Sequence, residues 1–362
     1  MQQTNLKKVD YQMNFQNASK EGFTWYTVDE KDFVLDGLYW YTPGKAFRRL
    51  PEDVHISEGV DYLAWHTAGV MLRFCSDAQE IRIDAKIKSS GDVCDHITRD
   101  CVAGFDTYVG SHTAKFYAKN TRFDPFLDEY TVPIFKVEEK KMREFTIHFP
   151  LFGHPEKVLI GLPEGTKILP PSPWRDPRPV VVYGTSIQQG GCASRPGMCH
   201  TNIMSRLLDR PFLNFGFSGS GRCEAEMAQI LAEIEDPAMY VIDCDANTGP
   251  EKLRERLPVF VDILREKHPE TPILLVSQTL FAAEMLGSQE YTGRRLAFTT
   301  IHRGELARRR QMGDNNIFFL DGTTLYGPDP SECTVDGAHA TDLGFYNIAH
   351  RMAPEIEHIL AR

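Results

Sequence analysis

The sequence of 362 residues lacks any run of about 20 apolar residues, the length that a helix needs to cross a bilayer. We therefore expect no membrane-spanning segment and no membrane partner. The first residues, MQQTNLKKVDYQMNF, also lack the apolar stretch of a secretory signal peptide. The sequence leaves two locations open, the cytoplasm and secretion with the signal peptide already removed.

An excess of basic residues is missing as well. The chain has 50 acidic and 40 basic residues, a formal net charge of -10, whereas binding along a nucleic-acid backbone requires a positively charged surface. We therefore expect no nucleic-acid partner. With 42% hydrophobic and 25% charged residues, the composition excludes a collagen-like, coiled-coil or wholly disordered chain. Neither charge nor composition excludes an oligomer.

Cysteine is sparse. The eight cysteines are too few for a disulfide-stabilised scaffold, and no CxxC pair or Cys/His set has the usual spacing of a zinc site. The segment CDH (94–96), together with Cys101, comes nearest to a metal cluster. We interpret these thiols as buried or unreactive and expect no metal site.

The first half contains short β-branched and aromatic runs separated by turn residues, a pattern typical of an all-β sandwich. These runs are FTWYTV (23–28), GLYWYT (37–42), GVMLRF (69–74), EIRIDAKI (80–87), KFYAKN (115–120), REFTIHF (143–149) and KVLIGL (157–162). The next segment, 163–179, contains six prolines, which stiffen linkers. We therefore predict a jelly-roll-like sandwich with its linker over residues 1–175 and a second domain over 176–362.

The second half alternates strands and helices. Nearly continuous apolar runs predict five buried strands: PVVVYG (179–184), PFLNFG (211–216), MYVIDC (239–244), PILLVS (272–277) and NIFFLDG (316–322). Helical patterns follow these strands at 198–209, 222–235, 250–268, 291–312 and 342–361. This alternation predicts a three-layer, doubly wound α/β domain of the flavodoxin type with a parallel sheet.

Small and polar residues follow four of the predicted strands, at the edge of the sheet where ligands bind in such domains. These blocks are YGTSI (183–187), NFGFSGSG (214–221), DCDANTG (243–249) and DGAH (336–339). Together they offer a serine hydroxyl, a histidine, a carboxylate and several hydrogen-bond donors.

Ester cleavage by a serine requires all of these groups. The hydroxyl becomes an effective nucleophile only when a base removes its proton, and imidazole has a suitable pKa for that step. A carboxylate orients the imidazole and stabilises its charged form. Donors aimed at the developing oxyanion are each worth about 10²–10³ in rate.

The four blocks resemble those of the SGNH (GDSL-type) hydrolase superfamily, in which they occur in this order at strand ends. The resemblance implies that Ser186 is the nucleophile and that Asp336 and His339 complete the catalytic residues. It also implies an oxyanion hole formed by the backbone N–H groups of Ser186 and Gly219 and the side chain of Asn247. The reaction it implies needs neither a metal nor an organic cofactor.

The sequence departs from the family pattern in two blocks. Thr185 stands where the family usually has aspartate, and Asp245 and Thr248 replace the usual glycine and aspartate around the asparagine. The tract GVDYL (59–63) and the extended string YGTSIQQGGCASRPGM (183–198) resemble a two-domain branch of the family. In that branch a β-sandwich precedes the SGNH esterase domain.

Simpler interpretations of the same residues remain open. Ser186 is also a favoured helix cap, Asn247 suits an Asx-turn, and Gly219 suits a turn with positive φ. Three further residues lie beside the blocks and are candidates for substrate binding: Gln188, Arg195 and Arg222. Their alternative roles are those of loop residues at a helix entry and of a surface salt bridge.

Three functions are therefore considered. The first is a carboxylic ester hydrolase that removes a small acyl group, acetyl on a carbohydrate, through an acyl-enzyme; its partner is a small-molecule or oligosaccharide acyl ester. The second is an acyltransferase that uses the same Ser-His-Asp site. The third is a non-catalytic carbohydrate-binding protein. In each case we expect the short linker to hold the sandwich against the crevice of the α/β domain.

Overall fold

The computed structural model describes residues 14–88 and 95–362. Its first half consists of ten strands and two short helices. The strands are β1 Phe23–Thr27, β2 Val34–Asp36, β3 Met71–Ser76, β4 Glu80–Lys88, β5 Asp106–Val109, β6 Phe116–Asn120, β7 Glu129–Lys136, β8 Arg143–His148, β9 His154–Pro163 and β10 Ile168–Leu169. The helices are α1 Glu58–Leu63 and α2 Arg99–Ala103.

These strands form two antiparallel sheets. One has the order β1–β9–β4–β7, and the other has the order β10–β3–β8–β5–β6, with β2 paired to β3. Alternate residues of β4, including Ile81, Ile83 and Ile87, are fully buried because successive side chains of a strand point to opposite faces. They belong to the same core as Phe74 and Phe145 of the second sheet. The predicted sandwich is confirmed.

One predicted strand is absent. Residues 37–42 form turns and irregular backbone, although GLYWYT has the aromatic content of a strand. Their aromatic side chains serve another purpose: Trp40 packs with its ring 5.9 Å from that of Phe215 in the second half of the chain. Burial against a neighbouring domain therefore explains a hydrophobic run that resembles a strand.

The second half contains five strands, β11 Val180–Gly184, β12 Phe212–Gly216, β13 Met239–Asp243, β14 Ile273–Val276 and β15 Ile317–Leu320. All neighbouring pairs are parallel, in the order β12–β11–β13–β14–β15. Its helices are α3 Ser186–Gln189, α4 His200–Leu208, α5 Ala225–Ala232, α6 Asp245–Thr248, α7 Pro250–Lys267, α8 Ala282–Met285, α9 Gln289–Gln311 and α10 Asp342–Leu360. Short 3₁₀ turns lie at Pro196–Met198, Gly322–Thr324 and Pro330–Cys333.

Helices cover both faces of this parallel sheet. On β11, Val180 and Val182 belong to the core that includes side chains of α4 and α10. Val181 and Tyr183 belong to the core that includes side chains of α5 and α7. Burial on both faces explains why the strands are almost entirely hydrophobic. The predicted three-layer α/β fold is confirmed, and among the described residues no helix is both long and apolar enough to cross a membrane.

The two halves are joined through the buried guanidinium of Arg49, which is 1% exposed. Its Nη1 donates to the carbonyl oxygens of Asn214 and Gly216, both at 2.8 Å. Its Nε and Nη2 donate to the carbonyl oxygens of His66 (2.7 Å) and Leu63 (2.8 Å). Burial lowers the pKa of Arg49 to about 9, so the side chain remains charged at neutral pH.

Arg49 supplies a donor to carbonyls at the ends and edges of backbone elements. Asn214 and Gly216 are on β12, an edge strand whose outer carbonyls have no neighbouring strand. Leu63 ends helix α1, and its carbonyl also accepts the backbone N–H of His66 (3.0 Å). Arg49 therefore satisfies backbone groups of both halves at once.

We predict that Arg49→Met lowers the free energy of unfolding by more than about 3 kcal/mol, since each buried carbonyl left without a donor costs about 1–3 kcal/mol. Urea unfolding followed by circular dichroism measures the change. Arg254→Met removes an exposed arginine of α7 and is the matched control. An equal loss of stability in the two variants would contradict the role assigned to Arg49.

Candidate active site

Ser186 lies at the start of α3, directly beyond the carboxyl end of β11. Thr185 caps this short helix: its side chain accepts a hydrogen bond from the backbone of Ile187 (3.4 Å). The side chain of Gln188 accepts one in return from the Thr185 backbone (2.8 Å). This capping box fixes the turn that presents the Ser186 hydroxyl, which is partly exposed.

Asp336 and His339 lie on a tight turn before α10. Asp336 Oδ1 accepts hydrogen bonds from the backbone N–H groups of Ala338 (3.0 Å) and His339 (2.7 Å). Asp336 Oδ2 lies 2.6 Å from His339 Nδ1. On the other side of the ring, His339 Nε2 lies 2.9 Å from Ser186 Oγ. The turn thus joins three side chains from two distant segments into one hydrogen-bonded chain.

The hydrogen bonds of this turn determine which atoms of Asp336 and His339 carry protons. Partial burial raises the pKa of Asp336, but the hydrogen bonds from the His339 ring and from two backbone amides outweigh it and hold the pKa at about 2. The carboxylate is therefore ionised at neutral pH and can only accept, so His339 Nδ1 carries the proton. In the neutral imidazole the lone pair is then on Nε2, the nitrogen that faces the Ser186 hydroxyl.

Gly219 lies in the turn that follows β12, with φ at +66°, a conformation that favours glycine. The turn is closed by hydrogen bonds from the backbone of Ser220 (3.0 Å) and Gly221 (2.9 Å) to the Phe217 carbonyl. Among the hydrogen bonds of the described residues, none uses the backbone N–H of Gly219 or of Ser186. Both donors remain available to a ligand.

Asn247 lies on α6, beyond the carboxyl end of β13. Its Nδ2 donates to the Phe217 carbonyl at 3.3 Å, which ties the amide to the Gly219 turn. An amide nitrogen carries two hydrogens, so one remains for a ligand. Helix α6 is itself held by Asp245, whose carboxylate lies 2.8 Å from His302 Nε2 and accepts the backbone N–H of Gln278 (3.0 Å).

Comparison with known families identifies both halves of the chain. Residues 177–357 match the GDSL-like lipase/acylhydrolase family, and residues 23–168 match the N-terminal domain of SGNH-hydrolase-type esterases. The chain belongs to the GDSL-like lipase/acylhydrolase family. Comparison with curated protein sequences gives no significant match.

Solved structures of three similar proteins align with almost the whole length of this GDSL-like hydrolase. A protein from Bacteroides ovatus described as a GDSL-like lipase is 26% identical, with 94% of this chain and 98% of that chain covered and a TM-score of 0.85. A salicylyl-acyltransferase of a tetracycline biosynthetic pathway is 16% identical with the same coverage and a TM-score of 0.77. An acetyl xylan esterase from Butyrivibrio proteoclasticus is 12% identical, with coverage of 94% and 99% and a TM-score of 0.57. The last two share the fold.

The sandwich of this GDSL-like hydrolase lies directly against the site, as expected from the short linker. Gly59 of α1 is so close to the turn after β12 that an added Cβ would overlap the Ser220 hydroxyl. His96 approaches from another loop of the sandwich, with its Nε2 3.5 Å from Asp336 Oδ2. The ring centroids of His96 and His339 are 5.9 Å apart.

His96 lies beside the site, although in the sequence it is grouped with Cys94 and Cys101. Cys94 lies outside the described residues. The thiol of Cys101 is buried and donates to the Gly190 carbonyl at 3.8 Å. No block of the sequence marks His96 as a neighbour of Asp336, because 240 residues separate them.

The three predicted substrate-binding residues have different surroundings. Gln188 is buried, and its Nε2 donates to Asp243 at 2.6 Å, while its oxygen caps α3. Arg195 forms an ion pair with buried Asp106 (2.5 Å). These contacts favour structural roles for both side chains. Arg222 is exposed and donates to the Gly219 carbonyl at 2.8 Å, so it lies on the rim of the site.

Proposed function

We propose that the chain is a serine esterase that hydrolyses a small acyl ester, an acetyl group on a carbohydrate, through an acyl-enzyme. The observation that carries this proposal is the hydrogen-bonded chain from Ser186 Oγ through His339 to Asp336, with distances of 2.9 and 2.6 Å. The three groups have the order and spacing that a serine nucleophile, a general base and an orienting carboxylate require.

In the proposed reaction, Ser186 Oγ attacks the acyl carbon while His339 Nε2 takes the hydroxyl proton. Ionised Asp336 stabilises the imidazolium that forms. The negative charge on the carbonyl oxygen is held by the backbone N–H groups of Ser186 and Gly219 and by the Asn247 amide. His339 then gives its proton to the leaving alcohol, and later activates a water that hydrolyses the acyl-enzyme. No step uses a metal or an organic cofactor.

The choice of an acetylated carbohydrate is supported by the shared fold of the acetyl xylan esterase. The partial exposure of Ser186 and His339 and the exposure of Gly219 also suit an ester on a bulky, hydrated alcohol, because such an alcohol stays in solvent during the reaction. An oligosaccharide acyl ester is therefore the substrate class that we propose.

An acyltransferase is the second candidate, favoured by the salicylyl-acyltransferase, whose structure resembles this chain over 94% of its length. The two reactions share the acyl-enzyme and differ only in whether water or another hydroxyl accepts the acyl group. The same residues therefore serve both.

We predict that Ser186→Ala reduces hydrolysis of p-nitrophenyl acetate by roughly 10⁴–10⁶-fold, because loss of a serine nucleophile in comparable triads has such effects. Release of p-nitrophenol measures the rate. Ser19→Ala, at an exposed serine of the sandwich, is the control and should keep full activity. Equal rates in wild type and Ser186→Ala would refute the catalytic assignment and favour the non-catalytic carbohydrate-binding protein.

We predict that Asn247→Ala lowers kcat by about 10²–10³ and leaves KM nearly unchanged, since an oxyanion donor acts mainly in the transition state. Steady-state kinetics with the same ester measures both constants. Asn315→Ala, at the opposite end of the sheet before β15, is the matched control. A change confined to KM would assign Asn247 to substrate binding instead.

We predict that acetylated oligosaccharides are cleaved with higher kcat/KM than aryl acetates or esters of longer acyl chains. A panel of these esters, assayed by mass spectrometry with a mixture of alcohol acceptors present, measures hydrolysis and transfer together. Free acid in excess over transferred product is the expected outcome. An excess of transferred product would instead establish the acyltransferase.

A further inference from the structure

A thiol and two imidazoles meet beside the proposed catalytic residues. His96, Cys192 and His339 each offer one ligand atom, and these three atoms all lie within 4.8 Å of one another. We call these residues the thiol–imidazole cluster. They come from three segments: a loop of the sandwich, the loop after α3 and the turn before α10. Neither the family match nor the proposed reaction accounts for His96 and Cys192.

The cluster is held together by the segments that carry it. Thr98, two residues after His96, donates through its hydroxyl to the Ser194 carbonyl (2.8 Å). The backbone N–H of Ser194, two residues after Cys192, donates to Asp342 Oδ1 (2.8 Å), three residues after His339. Ser194 therefore links the loop of Cys192 to each of the other two loops close to their ligand residues, which holds the three ligand atoms near one another.

The donor set selects the type of ion. One sulfur and two imidazole nitrogens suit a borderline-soft cation such as Zn²⁺, whereas Mg²⁺ and Ca²⁺ require oxygen ligands. Three protein ligands leave the fourth tetrahedral position of Zn²⁺ to solvent. Asp336 Oδ2, 2.6 Å from His339 Nδ1, is placed to orient that imidazole, as carboxylates do behind zinc-bound histidines. His96 lies between two carboxylates, with Asp95 Oδ1 3.2 Å from its Nδ1 and Asp336 Oδ2 3.5 Å from its Nε2, so a cation that binds this ring replaces one of the two contacts.

Zinc binding and ester hydrolysis both require the lone pair on Nε2 of His339. Asp336 engages Nδ1 of His339, so only Nε2 of that ring can bind a cation. Nε2 is also the atom that lies 2.9 Å from Ser186 Oγ and would accept its proton. A histidine bound to zinc through Nε2 is unable to act as a general base.

We propose that the thiol–imidazole cluster is a reversible, inhibitory Zn²⁺ site. On binding, Cys192 loses its thiol proton to solvent, and the thiolate and the two imidazole nitrogens bind the ion. The inhibitory part of this proposal rests on the proposed esterase function, whereas the binding part does not.

Binding is tested without activity, with Co²⁺ as a spectroscopic probe and Zn²⁺ as its competitor. We expect a thiolate-to-cobalt charge-transfer band in the wild type that Zn²⁺ abolishes and that Mg²⁺ or Ca²⁺ leaves unchanged. Cys192→Ser should lose the band. His96→Gln should weaken affinity by at least about 10-fold, because even outer partners of metal ligands are worth ~10–100-fold.

Two controls accompany these variants. Cys75→Ser removes a thiol of β3 that lies outside the cluster and should retain the band. Ser186→Ala removes the proposed nucleophile without removing a ligand and should also retain it. Circular dichroism confirms that each variant is folded. Absence of the band in the wild type, or an unchanged band in Cys192→Ser, would overturn the zinc site.

Inhibition is then measured on p-nitrophenyl acetate, relative to the metal-free rate of each variant. We expect Zn²⁺ to inhibit the wild type, EDTA to reverse the effect, and the inhibition constant to rise at least about 10-fold in His96→Gln. Equal inhibition of wild type and His96→Gln, or stimulation by Zn²⁺, would overturn the proposal. Absence of Ser186-dependent hydrolysis would instead refute the esterase and leave the cobalt result to decide the site.

Discussion

The guanidinium of Arg49 is the contact on which the arrangement of the two halves depends. Four hydrogen bonds run from this one group to backbone carbonyls, two on α1 and its continuation and two on β12. The ring of Phe217 lies 4.6 Å away and adds a cation–π contact. A charge buried in this way is tolerated only when its donors are satisfied, so the sandwich and the α/β domain fit together in one orientation.

That orientation determines the surroundings of Ser186. β12 leads directly into the turn of Gly219, and the strand edge that Arg49 covers is also contacted by Gly69, where an added Cβ would lie 2.6 Å from that of Asn214. The sandwich therefore supports the strand that positions one proposed oxyanion donor. It also supplies His96 next to Asp336. In physical terms the site belongs to both halves of the chain, although all of the proposed catalytic residues lie in the second.

The sequence predicts those strands and site residues whose placement depends on neighbouring residues in the chain. The strands β11 to β15 are continuous apolar runs, and Ser186 and His339 stand in short blocks of small and polar residues that follow predicted strands. The surroundings of Gln188 and His96 depend on partners that are distant in the sequence. The sequence makes Gln188 a candidate for substrate binding, but its amide is engaged by Asp243, 55 residues away. For His96, and for the aromatic run at 37–42, packing between the halves decides the outcome.

The contact between Gly59 and Ser220 bears on the exchange of the two halves between proteins. A side chain at position 59 would overlap the Ser220 hydroxyl in its present position, so that hydroxyl would have to rotate away. Ser220 follows Gly219 directly, so a substitution in the sandwich reaches the turn that carries a proposed oxyanion donor. We therefore expect that a foreign sandwich joined to this hydrolase domain disturbs the site unless its surface matches this turn.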